Sequence, residues 1–158
     1  MSPTAKVLVV EDDPDIRALL VTALRREALE VDAVEDGQEA LRMCESFEYA
    51  IILLDLMLPV LDGFQFIDAF VRSVPNARTV VLVITAFDDR IIDRLTWPRV
   101  HGIVRKPFDI EQLATTVRDV ALSWSGQART PLAHTTGVDG SIQVTSRGTE
   151  CSSRGTPC

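Results

Sequence analysis

Five side chains that can bind a metal ion or a phosphate group lie at the ends of apolar runs in this sequence. They are Glu11 and Asp12 after the first run, Asp55 after the third, Thr85 after the fourth and Lys106 after the fifth. If the runs are strands of an open parallel sheet, their carboxyl ends share one edge, and ligand sites form at that edge. The sequence therefore predicts that three carboxylates, a hydroxyl group and an ammonium group converge from distant parts of the chain.

These groups together favour the transfer of a phosphoryl group to a carboxylate. Crowded carboxylates repel one another at neutral pH, so the site requires a proton or a cation. Mg²⁺ is favoured because it binds through one or two carboxylates and recruits phosphate oxygens, whereas the lack of soft ligands disfavours zinc and copper. Asp55 can attack phosphorus as a nucleophile and form an aspartyl phosphate. Lys106 and Mg²⁺ would neutralise charge on the transferring group, and Thr85 can donate a hydrogen bond to it.

Each of these residues has a simpler structural interpretation when it is taken alone. An acidic residue after a strand often caps the next helix, and capping is the interpretation favoured for Asp13, which precedes Pro14 at the start of a helix. Capping explains Asp55 less well, because residues 56–63 separate it from the next helical pattern. Thr85 alone indicates a cap or loop hydroxyl, and Lys106 alone indicates a surface cation. Only the joint placement favours a functional site.

The elements that must position these residues are short apolar runs alternating with amphipathic stretches. The predicted strands are 7–10, 31–34, 49–54, 80–84 and 102–104. The predicted helices are 14–24, 37–44, 64–71, 88–95 and 109–124. Five repeats of this alternation predict an α/β fold, a parallel sheet with helices on both faces. The run 49–54 is apolar throughout, which is typical of a strand that is covered on both faces.

The composition of the chain disfavours several classes of function. Residues 1–124 carry 13 Lys and Arg against 21 Asp and Glu, which argues against direct DNA binding because that needs clustered basic residues. No run approaches the roughly 18 apolar residues of a membrane span, and the N-terminus does not resemble a signal peptide. Three cysteines without metal-ligand spacing indicate a reduced protein, and Cys44 is interpreted as a buried structural thiol. We therefore expect a cytoplasmic protein that does not associate with membranes.

The composition changes at Ser125, where a tail is predicted to begin. In residues 125–158, 18 of 34 residues are Ser, Thr, Gly or Pro, so this segment buries too little apolar surface to offset its ordering entropy. We expect a folded body at 1–124 and a disordered tail at 125–158. No second apolar-periodic segment follows residue 124, which favours a protein that carries no output domain and acts through a partner.

Five motifs of the body resemble the receiver domain of two-component response regulators, over roughly residues 5–124. They are Val-Leu-Val-Val-Glu-Asp-Asp at 7–13, Leu-Leu-Asp-Leu-Met-Leu-Pro at 53–59, Asp-Gly at 62–63, Ile-Thr-Ala at 84–86 and Lys-Pro-Phe at 106–108. The resemblance implies a flavodoxin-like, doubly wound five-stranded parallel sheet with the strand order 2-1-3-4-5, the order of the chemotaxis member of the family. It also implies a stand-alone signalling switch rather than an enzyme.

The resemblance implies how the acceptor and its neighbours work. Asp55 would accept a phosphoryl group from the phosphohistidine of a sensor histidine kinase or from a phosphotransfer protein. Lys106 would pair first with the acceptor carboxylate and then with the phosphoryl group, and its bond to Pro107 is often cis in the family. Thr85 would turn toward the phosphoryl group. A downstream protein partner would then bind the surface formed by the predicted helix 88–95, the fifth strand and the last helix.

The resemblance also implies a Mg²⁺ site beside the acceptor. Asp12 would bind the ion directly, and Glu11 would act through a water molecule. The carboxylate of Asp55 and the backbone carbonyl of Met57 would be the further protein ligands.

One position departs from the family pattern. Receivers place Tyr, Phe or His three residues before the lysine, where the ring follows the threonine inward, and this chain has Ile103 there. In the family, the threonine and this ring would together transmit phosphorylation from the site to the partner surface. This chain therefore lacks the aromatic side chain of that pair. A phosphorylation-independent, receiver-like interaction module is the alternative function.

Other functions of related architecture fit the sequence less well. A phosphatase of the haloacid dehalogenase type needs a second carboxylate two residues after the nucleophile as a general acid, and this chain has Met57 there. A P-loop enzyme needs a glycine-rich loop with Lys-Ser/Thr after the first strand. A flavodoxin-like cofactor carrier needs a phosphate-binding loop at that turn, where Glu11 and Asp12 would repel a phosphate.

Overall fold

The structure is a computed structural model that describes residues 5–74, 77–88 and 99–125. The five strands are Lys6–Val10 (β1), Glu30–Val34 (β2), Ile51–Asp55 (β3), Val80–Thr85 (β4) and Val100–Arg105 (β5). The helices are Pro14–Arg26 (α1), Gly37–Ser46 (α2), Gly63–Ser73 (α3) and Ile110–Ser125 (α4). The predicted helix after Asp88 and the predicted tail after Ser125 lie outside the described residues. Helix α4 ends one residue later than expected, at Ser125 itself.

All five strands are parallel and follow the order β2-β1-β3-β4-β5, so the predicted fold class and strand order are confirmed. The chain moves outward from β1 to β2, returns to β3 on the other side of β1, and continues outward to β5. The order therefore reverses between β1 and β3, and a crevice forms outside the carboxyl ends of these two strands. The register places the ends of β1 and β3 side by side, because Val10 pairs with Leu54.

Two hydrophobic clusters cover the two faces of the sheet. On one face, α1 and α4 bury side chains such as Leu20, Leu24 and Val117 against the strands. On the other face, α2 and α3 bury Phe66, Phe70 and smaller residues. Every residue of β3 is buried, as its apolar sequence predicts. Each large apolar side chain removed from water contributes about 1.5–3 kcal/mol, so the two clusters hold the strand ends at fixed positions. None of the described helices is long and apolar enough to cross a lipid bilayer.

Two helices that begin beside the crevice are capped by aspartates. Asp13 accepts hydrogen bonds from the backbone amides of Asp15 and Ile16 at the start of α1, so the predicted cap is confirmed. Asp62 accepts from the amide of Gln65, and the Gln65 side chain accepts from the amide of Asp62, which forms a capping box at the start of α3. The first turns of α1 and α3 are thereby fixed relative to the ends of β1 and β3.

Candidate functional site

Asp55 ends the central strand β3, and both oxygens of its carboxylate accept hydrogen bonds. Oδ1 accepts from the backbone amide of Met57 at 3.0 Å, and Oδ2 accepts from the ammonium group of Lys106 at 2.8 Å. The residue is only 4% exposed. These bonds are charge-assisted, which makes them stronger than bonds between neutral groups, so Asp55 is held as an oriented carboxylate at the bottom of the crevice.

Lys106 follows β5 and reaches across the edge of the sheet to two carboxylates. Its Nζ lies 2.8 Å from Oδ2 of Asp55 and 3.0 Å from Oε2 of Glu11, and its backbone amide donates to the carbonyl of Thr85 at 2.9 Å. Burial alone would lower the pKa of the ammonium group, but the hydrogen bonds to Asp55 and Glu11 outweigh it and raise the pKa. Lys106 therefore carries a positive charge at neutral pH. Its peptide bond with Pro107 is cis.

Glu11 is the most buried carboxylate of the site, with 1% of its surface exposed. Its Oε1 accepts from the backbone amide of Asp13 at 3.2 Å, and its Oε2 accepts from Lys106. Burial raises the pKa of Glu11; the hydrogen bond with Lys106 lowers it in part, and the charge of Asp55 raises it further. The net shift is upward, because the cost of burying the charged form exceeds what the hydrogen bonds recover.

Asp12 differs from its two carboxylate neighbours because it is exposed. Within the described part of the chain, its side chain makes no hydrogen bond or ion pair. Carboxylate oxygens of Glu11, Asp12 and Asp55 lie within 4.8 Å of one another. The arrangement thus contains two buried carboxylates that share one lysine. The third carboxylate is exposed, and no described residue forms a hydrogen bond or ion pair with it.

This donor set fits Mg²⁺. Every charged ligand atom is a hard carboxylate oxygen, the type that Mg²⁺ prefers, and the described residues place no cysteine or histidine in the cluster. Three carboxylates lie around one ammonium group in this cluster, so their formal charge exceeds that of Lys106. A divalent cation would supply the positive charge that the cluster lacks. The Asp12 carboxylate could bind this cation, because it forms no hydrogen bond or ion pair with the described residues.

Thr85 ends β4, next to the acceptor strand. It is fully buried and follows Ile84, which pairs with Asp55 across the sheet. Its hydroxyl oxygen accepts from the backbone amide of Phe87 at 3.0 Å. The structure therefore brings Thr85 to the same edge as the other predicted site residues, with its hydroxyl group held in the turn that follows β4.

Met57 lies in the loop after β3, with its side chain exposed and its amide bound to Asp55. The loop closes where the amide of Gly63 donates to the carbonyl of Leu56 at 3.0 Å. A Cβ atom on Gly63 would lie 2.6 Å from Cα of Leu56 and 2.7 Å from the carbonyl oxygen of Asp55. Only glycine therefore allows α3 to begin this close to the acceptor strand.

Sequence reasoning missed two residues that shape the site. Gly63 is only part of an Asp-Gly motif in the sequence, and a glycine that accepts a close backbone contact because it has no Cβ was the available signal. Arg17 was not singled out, yet its Nη1 donates to the carbonyl oxygens of Glu11 at 2.8 Å and Asp12 at 3.3 Å. Long side chains on the first turns of a helix point back toward its N-terminus, so the spacing of Arg17 from the acidic pair was the available signal.

Ile103, at the position where an aromatic residue was expected, is half-buried in β5. It packs on the cluster under α2 and α3, together with Phe64 and Phe87. The rings of Phe64 and Phe87 lie edge to face with centroids 5.9 Å apart. The aromatic pair on this face of the sheet therefore comes from α3 and the loop after β4, whereas β5 contributes a branched aliphatic side chain to the same cluster.

Cys44 lies far from these residues, in α2, and is buried. Burial raises the pKa of its thiol to about 12, so the group is a neutral thiol at physiological pH. Its interpretation as a structural residue of the core is consistent with both observations. Cys151 and Cys158 lie outside the described residues.

Known proteins resemble this chain across the region that forms the sheet. Residues 7–118 match the response regulator receiver domain family. The transcriptional regulatory protein TcrA of Mycobacterium tuberculosis is 35% identical over 128 residues, which are 80% of this chain and 49% of TcrA. Protein Rrf1 of Nitratidesulfovibrio vulgaris is 34% identical over 128 residues, 80% of this chain and 91% of Rrf1. The chain spans about half the length of several curated relatives that it matches, TcrA included.

A solved structure agrees with the architecture. The response regulator TrrA of Thermotoga maritima, in complex with Mg²⁺ and beryllofluoride, superposes with a TM-score of 0.64 and 28% sequence identity. The match covers 74% of this chain and 99% of TrrA. Together with the match over residues 7–118, this similarity shows that the chain belongs to the response regulator receiver domain family of two-component systems.

Proposed function

We propose that this protein is a Mg²⁺-dependent signalling switch that accepts a phosphoryl group on Asp55 from the phosphohistidine of a sensor histidine kinase or a phosphotransfer protein. The observation that carries the proposal is the position of the Asp55 carboxylate, which is buried and bound by Lys106 within a cluster of three carboxylates. Membership of the receiver family, a family of phosphorylation-based signalling domains, supports the same function.

Asp55 is suited to be the nucleophile. One carboxylate oxygen attacks phosphorus while the bond from phosphorus to the donor's imidazole nitrogen breaks, so the phosphoryl group moves to the carboxylate and the imidazole leaves. The amide of Met57 and the ammonium group of Lys106 orient the two oxygens before the reaction. Positioning of this kind removes part of the entropic barrier to a reaction between two molecules.

Lys106 is suited to stabilise the transferred group. Its raised pKa keeps it charged, and it lies within hydrogen-bonding distance of the acceptor oxygen. As the oxygen of Asp55 becomes part of an acyl phosphate, the ammonium group can follow the charge onto the phosphoryl oxygens. Thr85 would donate its hydroxyl hydrogen to the same oxygens, after its contact with Phe87 rearranges.

Asp12 would bind Mg²⁺ directly, Glu11 would act through water, and Asp55 with the carbonyl of Met57 would complete the protein ligands. The exposed and unengaged carboxylate of Asp12 supports its direct role, since Glu11 is already committed to Lys106 and to the amide of Asp13. When bound, Mg²⁺ supplies positive charge to the oxygens of the transferring phosphoryl group. TrrA of Thermotoga maritima, which resembles this chain, was crystallised with Mg²⁺ and beryllofluoride.

We expect the output to pass through a protein partner rather than by direct contact with DNA. The body of the chain is acidic, which disfavours contact with phosphate backbones. Some relatives are transcriptional regulators, and this chain spans about half their length. The proposed partner surface includes β5 and α4, in a cytoplasmic regulator that turns over no phosphomonoester substrate.

The test is phosphorylation in vitro with acetyl phosphate and Mg²⁺, followed by intact-mass measurement and by hydroxylamine, which cleaves acyl phosphates. The wild type should gain one labile phosphoryl group, and Asp55→Asn should gain none. Asp32→Asn is a matched control, because Asp32 also binds a lysine but lies in the edge strand β2, outside the carboxylate cluster. Equal labelling of Asp55→Asn and wild type would refute the assignment of the acceptor.

A second candidate function is a receiver-like interaction module that signals without phosphorylation. The observation in its favour is Ile103, which removes the aromatic member of the usual relay. A wild type that remains unlabelled by acetyl phosphate and by a panel of phosphorylated histidine kinases, while it still binds Mg²⁺, would favour this candidate over the phosphorylated switch.

A further inference from the structure

Arg17 lies in α1 and reaches back to the loop that carries two of the carboxylates of the site. Its Nη1 donates to the backbone carbonyl of Glu11 at 2.8 Å and to that of Asp12 at 3.3 Å. The residue is half-buried, and within the described chain it forms no ion pair. The guanidinium group therefore binds the main chain of the loop, and the neighbouring carboxylates remain available for other partners.

The two carbonyl groups flank Asp12 on both sides. The carbonyl of Glu11 belongs to the peptide plane before Asp12, and the carbonyl of Asp12 belongs to the plane after it. Each peptide unit is planar, so binding its oxygen restrains the orientation of the whole unit. Restraint of both planes restrains the two backbone dihedral angles of Asp12, and with them the direction of its Cα–Cβ bond.

Among the described residues, Arg17 is the side chain that binds both peptide units, although the unit after Asp12 is also restrained through its amide. The amide of Asp13 donates to the side chain of Glu11, and the side chain of Asp13 caps α1. The carboxylate of Asp12 is exposed and binds no side chain or backbone amide of residues 5–74, 77–88 and 99–125. Its position beside Glu11 and Asp55 therefore depends on the loop backbone, which Arg17 binds on both sides of Asp12 and the Glu11 side chain binds on one side.

We propose that Arg17 is a positioning residue of the metal site: by binding both peptide planes that flank Asp12, it directs the Asp12 carboxylate toward Asp55 and raises the affinity for Mg²⁺. This inference rests on the proposed function, because it assumes that the three carboxylates bind a divalent cation. Residues that orient metal ligands from outside the coordination shell typically contribute 10–100-fold to metal affinity.

The sign of the effect separates positioning from simple electrostatics. Arg17 is a cation near a cation site, so its charge by itself weakens Mg²⁺ binding through repulsion. If charge were its only influence, Arg17→Met would bind Mg²⁺ more tightly than wild type. Positioning predicts the opposite result, a loss of about tenfold in Mg²⁺ affinity.

The experiment compares Mg²⁺ binding by isothermal titration calorimetry in wild type, Arg17→Met, Arg17→Lys and Arg26→Met. Arg26 is a matched control, because it lies on the same helix, is exposed, and contacts Glu111 at 3.7 Å at the other end of α1. Arg26→Met removes the same charge and should keep the wild-type affinity or bind slightly more tightly. Arg17→Lys retains the charge but not the rigid guanidinium group, and it should bind more weakly than wild type.

A second readout is the rate of phosphorylation by acetyl phosphate as a function of Mg²⁺ concentration. A positioning role predicts that Arg17→Met needs about tenfold more Mg²⁺ for half-maximal rate, while the rate at saturating Mg²⁺ stays near the wild-type value. General damage to the fold would lower the saturated rate as well, and melting temperatures measured without Mg²⁺ report such damage separately. If Arg17→Met does not fold, the comparison of Arg17→Lys with wild type carries the test.

The possible failures are distinguishable. A wild type that neither binds Mg²⁺ nor accepts a phosphoryl group would refute the proposed function. A functional wild type whose Arg17 variants bind Mg²⁺ equally well or more tightly would overturn the role of Arg17 and leave the proposed function intact.

Discussion

A lysine binds carboxylates at each end of the sheet, and the two clusters differ in how much of them is buried. At the carboxyl end, Lys106 binds Asp55 and Glu11, whose side chains are 5% and 2% exposed. At the amino end, Lys6 lies 3.0 Å from Asp32, whose side chain is 29% exposed. Both clusters are ion pairs by distance, so distance alone does not reveal which of them is a functional site.

The electrostatic balance of the two clusters separates them. At the amino end, burial alone would raise the pKa of Asp32, but hydrogen bonds from the Tyr49 hydroxyl at 2.6 Å and from Lys6 lower it. At the carboxyl end, burial outweighs the hydrogen bond from Lys106, and the pKa of Glu11 is raised. Hydrogen bonds therefore determine the direction of the shift at Asp32, whereas burial determines it at Glu11, which shares one lysine with Asp55. A buried carboxylate with a perturbed pKa beside a second carboxylate is typical of a functional site.

The largest expected difference between the two ends is in Mg²⁺ affinity. Asp12→Ala should weaken binding by at least about tenfold, because even residues outside the coordination shell contribute that much. Glu11→Ala should weaken it less, since Glu11 is expected to act through water. Asp32→Ala, which removes a carboxylate at the amino end, should leave the affinity measured by calorimetry unchanged.

The same variants should differ in stability without Mg²⁺. Asp12→Ala should raise the melting temperature in EDTA, because the loss of one of three crowded carboxylates relieves repulsion.

Equal Mg²⁺ affinities in Asp12→Ala and wild type would contradict the direct role of Asp12 and remove the main contrast between the two ends.

A smaller difference is expected in the pH dependence of stability. Because the folded-state pKa of Glu11 is raised from 4.5, its ionisation decreases the free energy of unfolding as pH rises from about 4.5 through the raised value. Glu11→Gln should therefore be more stable than wild type at pH 7 in EDTA, and this advantage should shrink as pH falls to 4.5. The measurement is a series of melting temperatures from pH 7 to pH 3.

The corresponding variant at the amino end should behave in the opposite way. The folded-state pKa of Asp32 is lowered from 3.8, so its ionisation stabilises the fold above pH 3.8, and this contribution is lost as pH falls through the lowered value. Asp32→Asn should be slightly less stable than wild type at pH 7, and the deficit should persist to below pH 3.8. Parallel curves for the two variants would refute the electrostatic contrast.

The smallest expected effect is the conformational change in β5 and its neighbours when beryllofluoride and Mg²⁺ occupy the site at the carboxyl end. Ile103 is a stiff, branched side chain that already packs against the hydrophobic cluster under α2 and α3, so beryllofluoride with Mg²⁺ should shift amide NMR signals mainly around Thr85 and residues 88–95. Ile103→Tyr should enlarge the response in β5, because it offers a ring that can change position. Signals at the amino end, such as that of Tyr49, should stay unchanged in both proteins.

The outcome that contradicts this prediction is specific. Large wild-type shifts centred on Ile103 and its strand, unchanged in Ile103→Tyr, would show that β5 responds to the site without an aromatic ring.

Much of this architecture could be predicted from local patterns. The apolar run before Asp55 indicated a strand covered on both faces, and every residue of β3 is buried. Asp13 before Pro14 indicated a helix cap, and Asp13 binds the first amides of α1. Such features depend on residues a few positions apart, where burial periodicity and capping preferences act directly on the local backbone.

The register of β5 could not be predicted in the same way. Between Val81 and Leu82, the pairing of β4 with β5 shifts by one residue, and the amide of Val81 donates to Nδ1 of His101 instead of continuing the regular ladder. A short apolar run, Gly102 to Val104, was all that indicated this strand. The shift depends on a side chain twenty positions away, and no local pattern encodes it.

The sequence by itself determined which groups end each strand, and therefore which side chains could meet at the carboxyl edge. The tertiary structure alone decided how they divide the available charge: Lys106 binds both Glu11 and Asp55, from 95 and 51 positions away, and Asp12 remains unengaged. It also decided that Arg17 binds the loop main chain and that Gly63 lies against Leu56. The physical reason is that charge balance depends on distances of a few ångströms and on burial, and both are set only when the packed sheet brings remote residues together.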